Sequence, residues 1–368
     1  MNIVIIADGK EQEGGTKEVI GHIKSALQDN RISVEYVNEE KYLPKFFPLK
    51  WKNMFRFFYL RKISKIDFSQ YDITITLQPD SHCARHRNHI VYFQHHKKQY
   101  YDLFSVHYRS KANLRKKIMF LLLAAITRIS DRFYLTPNLK QSSVIVNSPV
   151  VGDRLKKYNN IAKFAVIYPG CDGEKEHRVT IHHNITYDKM EKNKTPALLA
   201  FSRLNVVQKG IDTIVSTALV MPNYRFIIAG PYDNTIDYIS KEDIPANVQI
   251  VIKEFSKEEK YQLFRDCDVF LAPYIEEDFG ITPLEANAFG KPVVYCDDSG
   301  GITYTQKHLK TGFMCKRNPA DIAKGIEFCM ENKESMKQAC IDNSSNYSWA
   351  SFEKHFSDYV RGLSTKSH

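Results

Sequence analysis

The order of apolar runs predicts an α/β protein built from two Rossmann-like, doubly wound parallel-sheet domains. Three observations carry this expectation. Short β-branched or aromatic runs alternate with helical periodicity from the first residues onward. The alternation stops over a polar, charge- and histidine-rich stretch at 171–194 and then starts again. The length of 368 residues is what two domains of ordinary size require.

The elements follow in order. IVIIA near the start reads as a buried strand; Gly14 and Gly15 come next, then a helix with Val19, Ile20, Ile23 and Leu27 on one face. ISVEYV, DITITL and HIVYFQ read as strands, 115–129 as a helix, RFYLT and SVIVNS as strands, and 152–158 as a short helix. FAVIYPG closes the first half with Pro169-Gly170 as a turn. The second half repeats the pattern. ALLAFS, RFIIAG, VQIVI, VFLAP and PVVYC are strands, and 211–221, 283–289 and 320–330 are helices. SKEE at 256–259 is a capping-box signature that opens a further helix.

Composition narrows the classes. At 43% hydrophobic and 26% charged residues the chain has material for two cores, which excludes disorder as a description of the whole. The first apolar run is too short for a secretory leader and lacks a basic flank. The longest later run, IMFLLLAAI at 118–126, falls well short of the ~20 residues that span a bilayer, so it reads as a buried or interfacial helix. These features predict a cytoplasmic protein. Seven cysteines include no C-x-x-C pair, which argues for idle thiols over a disulfide framework or a zinc site. The net charge of +10 is uneven: residues 1–180 carry an excess of thirteen cations, and the remainder a small excess of acids. An anionic partner of the first half is the natural expectation.

The stretch 277–292, EDFGITPLEANAFGKP, follows the strand VFLAPY and so lies at the carboxyl-end crest of its sheet. Gly280 permits close backbone approach, Thr282 suits an N-cap and Pro283 a first helical turn, leaving amides and a positive dipole end for a phosphate. Glu277 and Glu285 bracket this turn. By spacing alone Glu285 also fits a capping box with Thr282, and Glu277 fits a solvated loop. SRLNVVQKG at 202–210 follows the strand ALLAF at the same crest, where Arg203 and Lys209 can meet a diphosphate or remain ordinary surface cations.

Together these features resemble the donor site of glycosyltransferase family 4, the retaining family with the GT-B fold, which implies two Rossmann-like domains facing each other across a cleft. The resemblance rests on Ser202-Arg203-Leu204, Lys209-Gly210, and Glu277 to Glu285 with Phe279-Gly280 between them. SKEEKYQLFRDCDVFLAP, GKPVVYCDDSGG, KTGFMC, VIYPGCD and NYSWASFEKHF resemble flanking segments of that family. The similarity covers nearly all of 190–360 and thinner parts of 1–170.

The resemblance implies an acceptor domain over 1–180, a donor domain over 181–346, and a closing helix at about 347–363 that packs back on the first domain. It implies that Arg203 and Lys209 bind the donor diphosphate and stabilise the leaving nucleotide. Glu285 would hold the ribose hydroxyls and Glu277 would sit by the transferred sugar. Amides from Phe279, Gly280, Ile281, Thr282 and Leu284 would touch sugar and phosphate. Glu254, Phe255 and Pro231 would frame the base, Gly15 would lie near donor phosphate or acceptor, and His95 or His96, with His95 preferred, would lie by the reacting sugar. No second carboxylate is evident in the first domain for double displacement. The implied course is therefore same-face transfer, in which the leaving phosphate helps to deprotonate the acceptor. No D-x-D motif is present, so no metal and no cofactor is expected beyond a UDP- or GDP-sugar substrate.

One segment lies outside the motif. Residues 41–66 carry eight Lys/Arg, eight aromatics and no acid, and 103–130 carry six Lys/Arg and no acid. Lys45, Lys50, Trp51, Lys52 and Arg56 are read as a surface for anionic lipid or a lipid-linked acceptor, with plain packing as the rival and no nucleic-acid partner. The expected function is retaining transfer to a glycan or lipid-linked acceptor in cell-surface polysaccharide or glycoconjugate synthesis. A sugar-nucleotide epimerase and a non-catalytic partner subunit on the same scaffold are the alternatives.

Overall fold

The structure is a computed structural model that describes residues 1–8, 15–37, 54–111, 113–171 and 195–364. The chain divides into unit 1, Met1–Pro169 with Phe352–His368, and unit 2, Gly170–Ser351.

Unit 1 begins with β1 (Asn2–Asp8), α1 (Gly15–Ala26) and β2 (Arg31–Val37), followed by α2 (Arg56–Ile63) and β3 (Ile73–Thr76). Next come β4 (His89–Phe93), α3 (Phe104–Arg109), α4 (Leu114–Gln141), β5 (Ser143–Val146), α5 (Pro149–Asn159) and β6 (Ala165–Val166). The six strands lie in the order β2-β1-β3-β4-β5-β6, and the pairings are parallel. Helices on both faces bury such strands completely, so they read as unbroken apolar runs: Ile3 to Ala7 are fully buried.

One sequence expectation changes here. RFYLT is not a strand; it lies within α4, which runs for 28 residues. Its β-branched and aromatic content suits either state, but Asp131, Leu135, Asn138 and Leu139 continue the buried face at helical spacing. Pro137 sits inside this helix without ending it. The apolar run at 118–126 is mostly not buried: Ile118, Met119, Leu121 and Leu122 are exposed.

Unit 2 contains β7 (Ala197–Phe201), α6 (Ile211–Val220), β8 (Arg225–Gly230), β9 (Val248–Ile252), α7 (Lys257–Asp266), β10 (Val269–Ala272) and α8 (Ile281–Ala288). β11 (Val293–Cys296), α9 (Ile302–Thr305), β12 (Gly312–Cys315) and α10 (Pro319–Ser345) complete it. The order is β12-β11-β10-β7-β8-β9, again parallel. α7 starts at the expected capping box, Ser256 with Glu259. The reversal of strand order falls between β7 and β10, and ligands of such sheets bind where that crevice opens at the carboxyl ends.

The final helix, α11 (Trp349–Ser364), packs its Phe352 and Phe356 rings against Tyr92 of β4, at centroid distances of 5.8 and 6.2 Å. Glu353 pairs with His22 of α1 at 2.7 Å. All seven cysteines are buried and free. Among the described residues no helix is long and apolar enough to cross a membrane.

Candidate functional site

The two motif segments of unit 2 leave the sheet from adjacent strands at its switch point. β7 ends at Phe201, and Ser202-Arg203-Leu204 turns away beside β8, with Leu204 N donating to Pro231 O at 2.9 Å. This closeness requires Gly230: a Cβ there would lie 1.8 Å from Ser202 O. The turn is fixed further by Val206 N donating to Thr235 Oγ1 at 2.9 Å and by Gln208 N donating to Asn205 Oδ1 at 2.9 Å. Lys209 then lies just before α6.

β10 leads into Pro273, Tyr274 and the loop 275–280. Glu276 adopts a left-handed φ of 50°. The loop is held on both sides: Ile275 N donates to Gln208 O at 2.9 Å, Glu276 N to Asp298 O at 3.0 Å, and Gly301 N to Glu277 O at 2.7 Å. These bonds bring Lys209 and Glu277 together. The Lys209 ammonium donates to Glu277 Oε2 at 2.6 Å and sits 4.2 Å from the Tyr274 ring centre, with the ion pair 15% and 18% exposed. Burial, with Glu277 nearby, pushes the Tyr274 hydroxyl well up, and that hydroxyl donates to Phe201 O at 3.1 Å. The ring therefore acts as a neutral spacer between β7 and the ion pair.

Arg203 is different. Its side chain is 65% exposed, and its Nε stands 3.8 Å from Asp233. Burial would raise the Asp233 carboxyl, but bonds from Thr235 and Asn205, helped by Arg203, hold it below its usual value. Arg203 thus rests on a fixed anion and projects its fork outward.

The N-cap of α8 is Gly280, whose φ is 87° and which makes no side-chain cap. A Cβ at Gly280 would meet Ile302 Cγ1 at 2.6 Å, so glycine is required by conformation and space together. Thr282 is consequently the second helical residue rather than the N-cap. Glu285 lies too far along the helix to close a capping box; the buried Glu285 carboxylate instead receives the Lys260 ammonium at 2.6 Å. Phe279 and Leu284 are buried against Cys171, with Tyr347 and Ile281 beside them. Their side chains are packing, and only their backbone faces remain for a ligand. Ile281 and Thr282 are half-buried. Phe255 packs edge-on against Phe201 at 5.2 Å, Glu254 is exposed, and Pro231 is half-buried. The pieces read as framing a base therefore stand beside the end of β7.

Two residues escaped the sequence reading. Arg317 donates to Asp298 Oδ2 at 2.9 Å, to Tyr274 O at 2.7 Å and to Pro273 O, bracing the loop after β10 from behind. Ser299 Oγ donates to Tyr274 O at 2.8 Å. Asp297 pairs with Lys316. Among the described residues no group of three or more His, Cys, Asp or Glu is placed to hold a metal ion.

In unit 1 the switch point lies between β1 and β3, and a carboxylate does stand there, which corrects the expectation of none. Asp8 accepts from Ser81 N at 2.6 Å and from Asp80 N at 2.9 Å, so both its oxygens are engaged. Burial and the neighbouring Asp80 push its pKa up to about 7 despite Lys97. His95 is half-buried just beyond β4, and its Nδ1 lies 2.8 Å from His96 O. His96 is a core residue: 1% exposed, ringed by Phe93, Tyr101 and Tyr158, and bonded to Asn159 Oδ1 at 2.6 Å. Burial holds its pKa low. Of the pair only His95 can meet a ligand. Gly15 is the first residue of α1.

The basic aromatic segment divides. Lys45, Lys50, Trp51 and Lys52 lie outside the described residues, as does Gly14. Arg56 overturns its assignment to a membrane surface. It is 1% exposed, donates to Asp131 at 2.6 Å and 3.2 Å, and pairs with Asp80. Asp80 also pairs with Lys97 at 2.9 Å, and the two cations hold its pKa at about 2 against the effect of burial. Arg56 is a buried brace that ties α2 to α4.

Comparisons with known proteins bear on both units. Residues 185–346 match the family described as Glycosyl transferases group 1. The human alpha-1,3/1,6-mannosyltransferase ALG2 is 27% identical over 259 residues, covering 59% of this chain and 60% of that protein. The N,N'-diacetylbacillosaminyl-diphospho-undecaprenol alpha-1,3-N-acetylgalactosaminyltransferase of Campylobacter jejuni is 24% identical over 176 residues, covering 48% of this chain and 44% of that protein. The chain thus spans less than two thirds of the length of these relatives. The solved sucrose-phosphate synthase of Thermosynechococcus elongatus superposes with a TM-score of 0.71 at 15% identity, covering 99% of both chains. That likeness, with two six-stranded parallel sheets, establishes the GT-B fold. The match to the family described as Glycosyl transferases group 1 takes in both motif segments of unit 2, 202–210 and 277–285.

Proposed function

We propose that this protein is a retaining glycosyltransferase that moves a sugar from a UDP- or GDP-sugar to a glycan or lipid-linked acceptor in cell-surface polysaccharide or glycoconjugate synthesis. One observation carries the reading: the cation-bearing turn after β7 and the loop before α8 leave adjacent strands at the switch point of unit 2, with Lys209 held on Glu277 at 2.6 Å. A diphosphate entering there draws Lys209 from Glu277 and gains the exposed Arg203. Glu277 is then left beside the sugar. The bond from the anomeric carbon to the phosphate oxygen breaks as the acceptor oxygen attacks from the same face. The acceptor proton passes to the leaving phosphate, and the charge on that phosphate is met by Lys209, Arg203 and the amides opening α8. No step calls for a metal ion.

The lipid-linked form of the acceptor is favoured by the Campylobacter relative, whose name specifies an undecaprenol diphosphate substrate. The chain is then expected at the inner face of a cell membrane. The test is release of nucleoside diphosphate from UDP-, GDP- and ADP-sugars without acceptor, with and without EDTA. Slow release that survives EDTA and falls about a hundredfold in Arg203→Ala supports the reading. Interconversion of sugar epimers, or no turnover with any donor, contradicts it. Loss with EDTA, restored by manganese, removes the metal-free course.

A further inference from the structure

α4 is apolar on two faces, and among the described residues only one of them is covered. Phe120, Ala124, Leu135 and Leu139 pack inward. On the opposite side Leu114, Ile118, Leu121, Leu122, Ile129 and Phe133 recur at helical spacing and are 44–70% exposed. At 1.5 Å per residue this stripe runs for about 28 Å. It continues onto α2: Phe57 meets Phe133 at 6.0 Å and Phe58 at 6.2 Å, and Phe58 is 58% exposed. A helix with apolar residues all round is ordinarily buried, so an open stripe of this length marks a surface that something covers.

The charges around it indicate what. α2 has no carboxylate, and the one carboxylate of α4, Asp131, is buried on Arg56 and Tyr101. Arg61 on α2 and Arg115, Lys116 and Arg132 on α4 are exposed. A protein partner of ordinary composition calls for some acid in such a rim. An apolar stripe bordered, on α2 and α4, by cations and no exposed acid matches the acyl boundary and the phosphates of an anionic leaflet.

We propose that α4 and the start of α2 form an in-plane docking surface for an anionic lipid leaflet, with the Leu114 to Phe133 stripe inserted and the flanking arginines on the phosphates. The Arg56–Asp131 pair is the positioning contact, because it brings Phe57 and Phe58 to the end of the stripe. The proposal rests on the reading of a lipid-linked acceptor, since a soluble acceptor gives the chain no reason to sit on a leaflet.

The test is co-sedimentation of the full chain with vesicles of phosphatidylcholine, with and without phosphatidylglycerol. The wild type is expected to bind only the anionic vesicles and to release with salt. Leu121→Glu/Leu122→Glu/Ile129→Glu should lower the partition coefficient by about tenfold for each side chain. Arg115→Glu/Arg132→Glu should lower it by about fivefold per cation. All these positions are exposed, so an unchanged circular-dichroism melt certifies the fold. Leu219→Glu/Val220→Glu, on the exposed face of α6 in unit 2, should bind as wild type does. No binding by the folded wild type at low salt, or equal binding by the α4 variants, overturns the proposal. So does a wild-type dimer on size exclusion that the α4 variants dissociate, because the stripe then joins two copies. Donor hydrolysis in solution is measured alongside. Its absence with vesicle binding intact counts against the catalytic reading alone, and its presence without vesicle binding counts against the docking surface alone.

Discussion

Replacing Lys209 with Ala removes a cation that is 15% exposed and leaves Glu277, 18% exposed, without it. Two effects on nucleotide binding follow. The lost charge-assisted bond to the diphosphate is worth about 1.5–3 kcal/mol, roughly ten- to a hundredfold in Kd. Glu277 then faces the diphosphate as a like charge that Lys209 no longer offsets. At a separation of about 6 Å this costs between about 0.7 kcal/mol in water and about 2.8 kcal/mol near a protein surface, and about 1.4 kcal/mol within that range is about tenfold. Lys209→Ala should therefore bind UDP or GDP more weakly by a factor of several hundred. The double variant Lys209→Ala/Glu277→Gln should recover about tenfold of that loss, a non-additivity expected of groups in contact. Isothermal titration with the nucleoside diphosphate reads this directly, separately from any part Glu277 has in transfer. A double variant that binds no better than Lys209→Ala, or a Lys209→Ala variant that binds as wild type does, refutes the reasoning.

Three further outcomes concern the scaffold. Arg56→Ala leaves Asp80 and Asp131 buried without their shared cation and should cost about 3–5 kcal/mol in urea unfolding; a neutral effect would return Arg56 to the surface. Gly280→Ala combines a left-handed φ with a contact on Ile302 and should cost about 1–3 kcal/mol, and less than that when made in an Ile302→Ala background; an equal cost in both backgrounds would mean that the clash is not the cause. His89, 3% exposed and bonded to Thr76 and Ser142, has its pKa pushed down to about 3 by burial. A depressed histidine contributes stability above its unfolded value of about 6.5, and that stability is lost as pH falls toward 3. By pH 5 the loss is about 2 kcal/mol. Asp8, whose pKa is raised, acts with the opposite sign, so the comparison is with His89→Asn: the stability gap between the two proteins should close by about 2 kcal/mol from pH 7 to pH 5. Parallel pH profiles would contradict it.

The parts that were legible in the sequence are those whose meaning is local. Strand, turn and helix start lie within a few residues of one another at 197–210 and 269–285, so a motif there reports its own position on the sheet crest. Arg56 was misread because composition treats a run of cations as one surface, while its burial depends on Asp80 and Asp131, which are 24 and 75 residues away. Asp8 and Arg317 were missed for the same reason. Asp8 looks like the end of a strand until Ser81 is folded onto it, and Arg317 looks like a surface residue until the loop after β10 lies across it. The strand expected at RFYLT failed because β-branched and aromatic residues satisfy both periodicities over five positions. The longer α4 pattern decides between them only when Leu135 and Asn138 are counted with Asp131. His96 could not be separated from His95 by spacing, since neighbouring residues beyond a strand end point to opposite sides.

The central claim is that a nucleotide-sugar binds at the switch point of unit 2, on the turn after β7 and the loop into α8. Hydrogen exchange of the full chain with and without a saturating nucleotide-sugar tests it most directly. The expected result is slowed exchange in peptides covering 202–210 and 275–285, the amides that would contact the diphosphate and sugar. Binding that raises the melting temperature while leaving both segments unchanged would contradict the account.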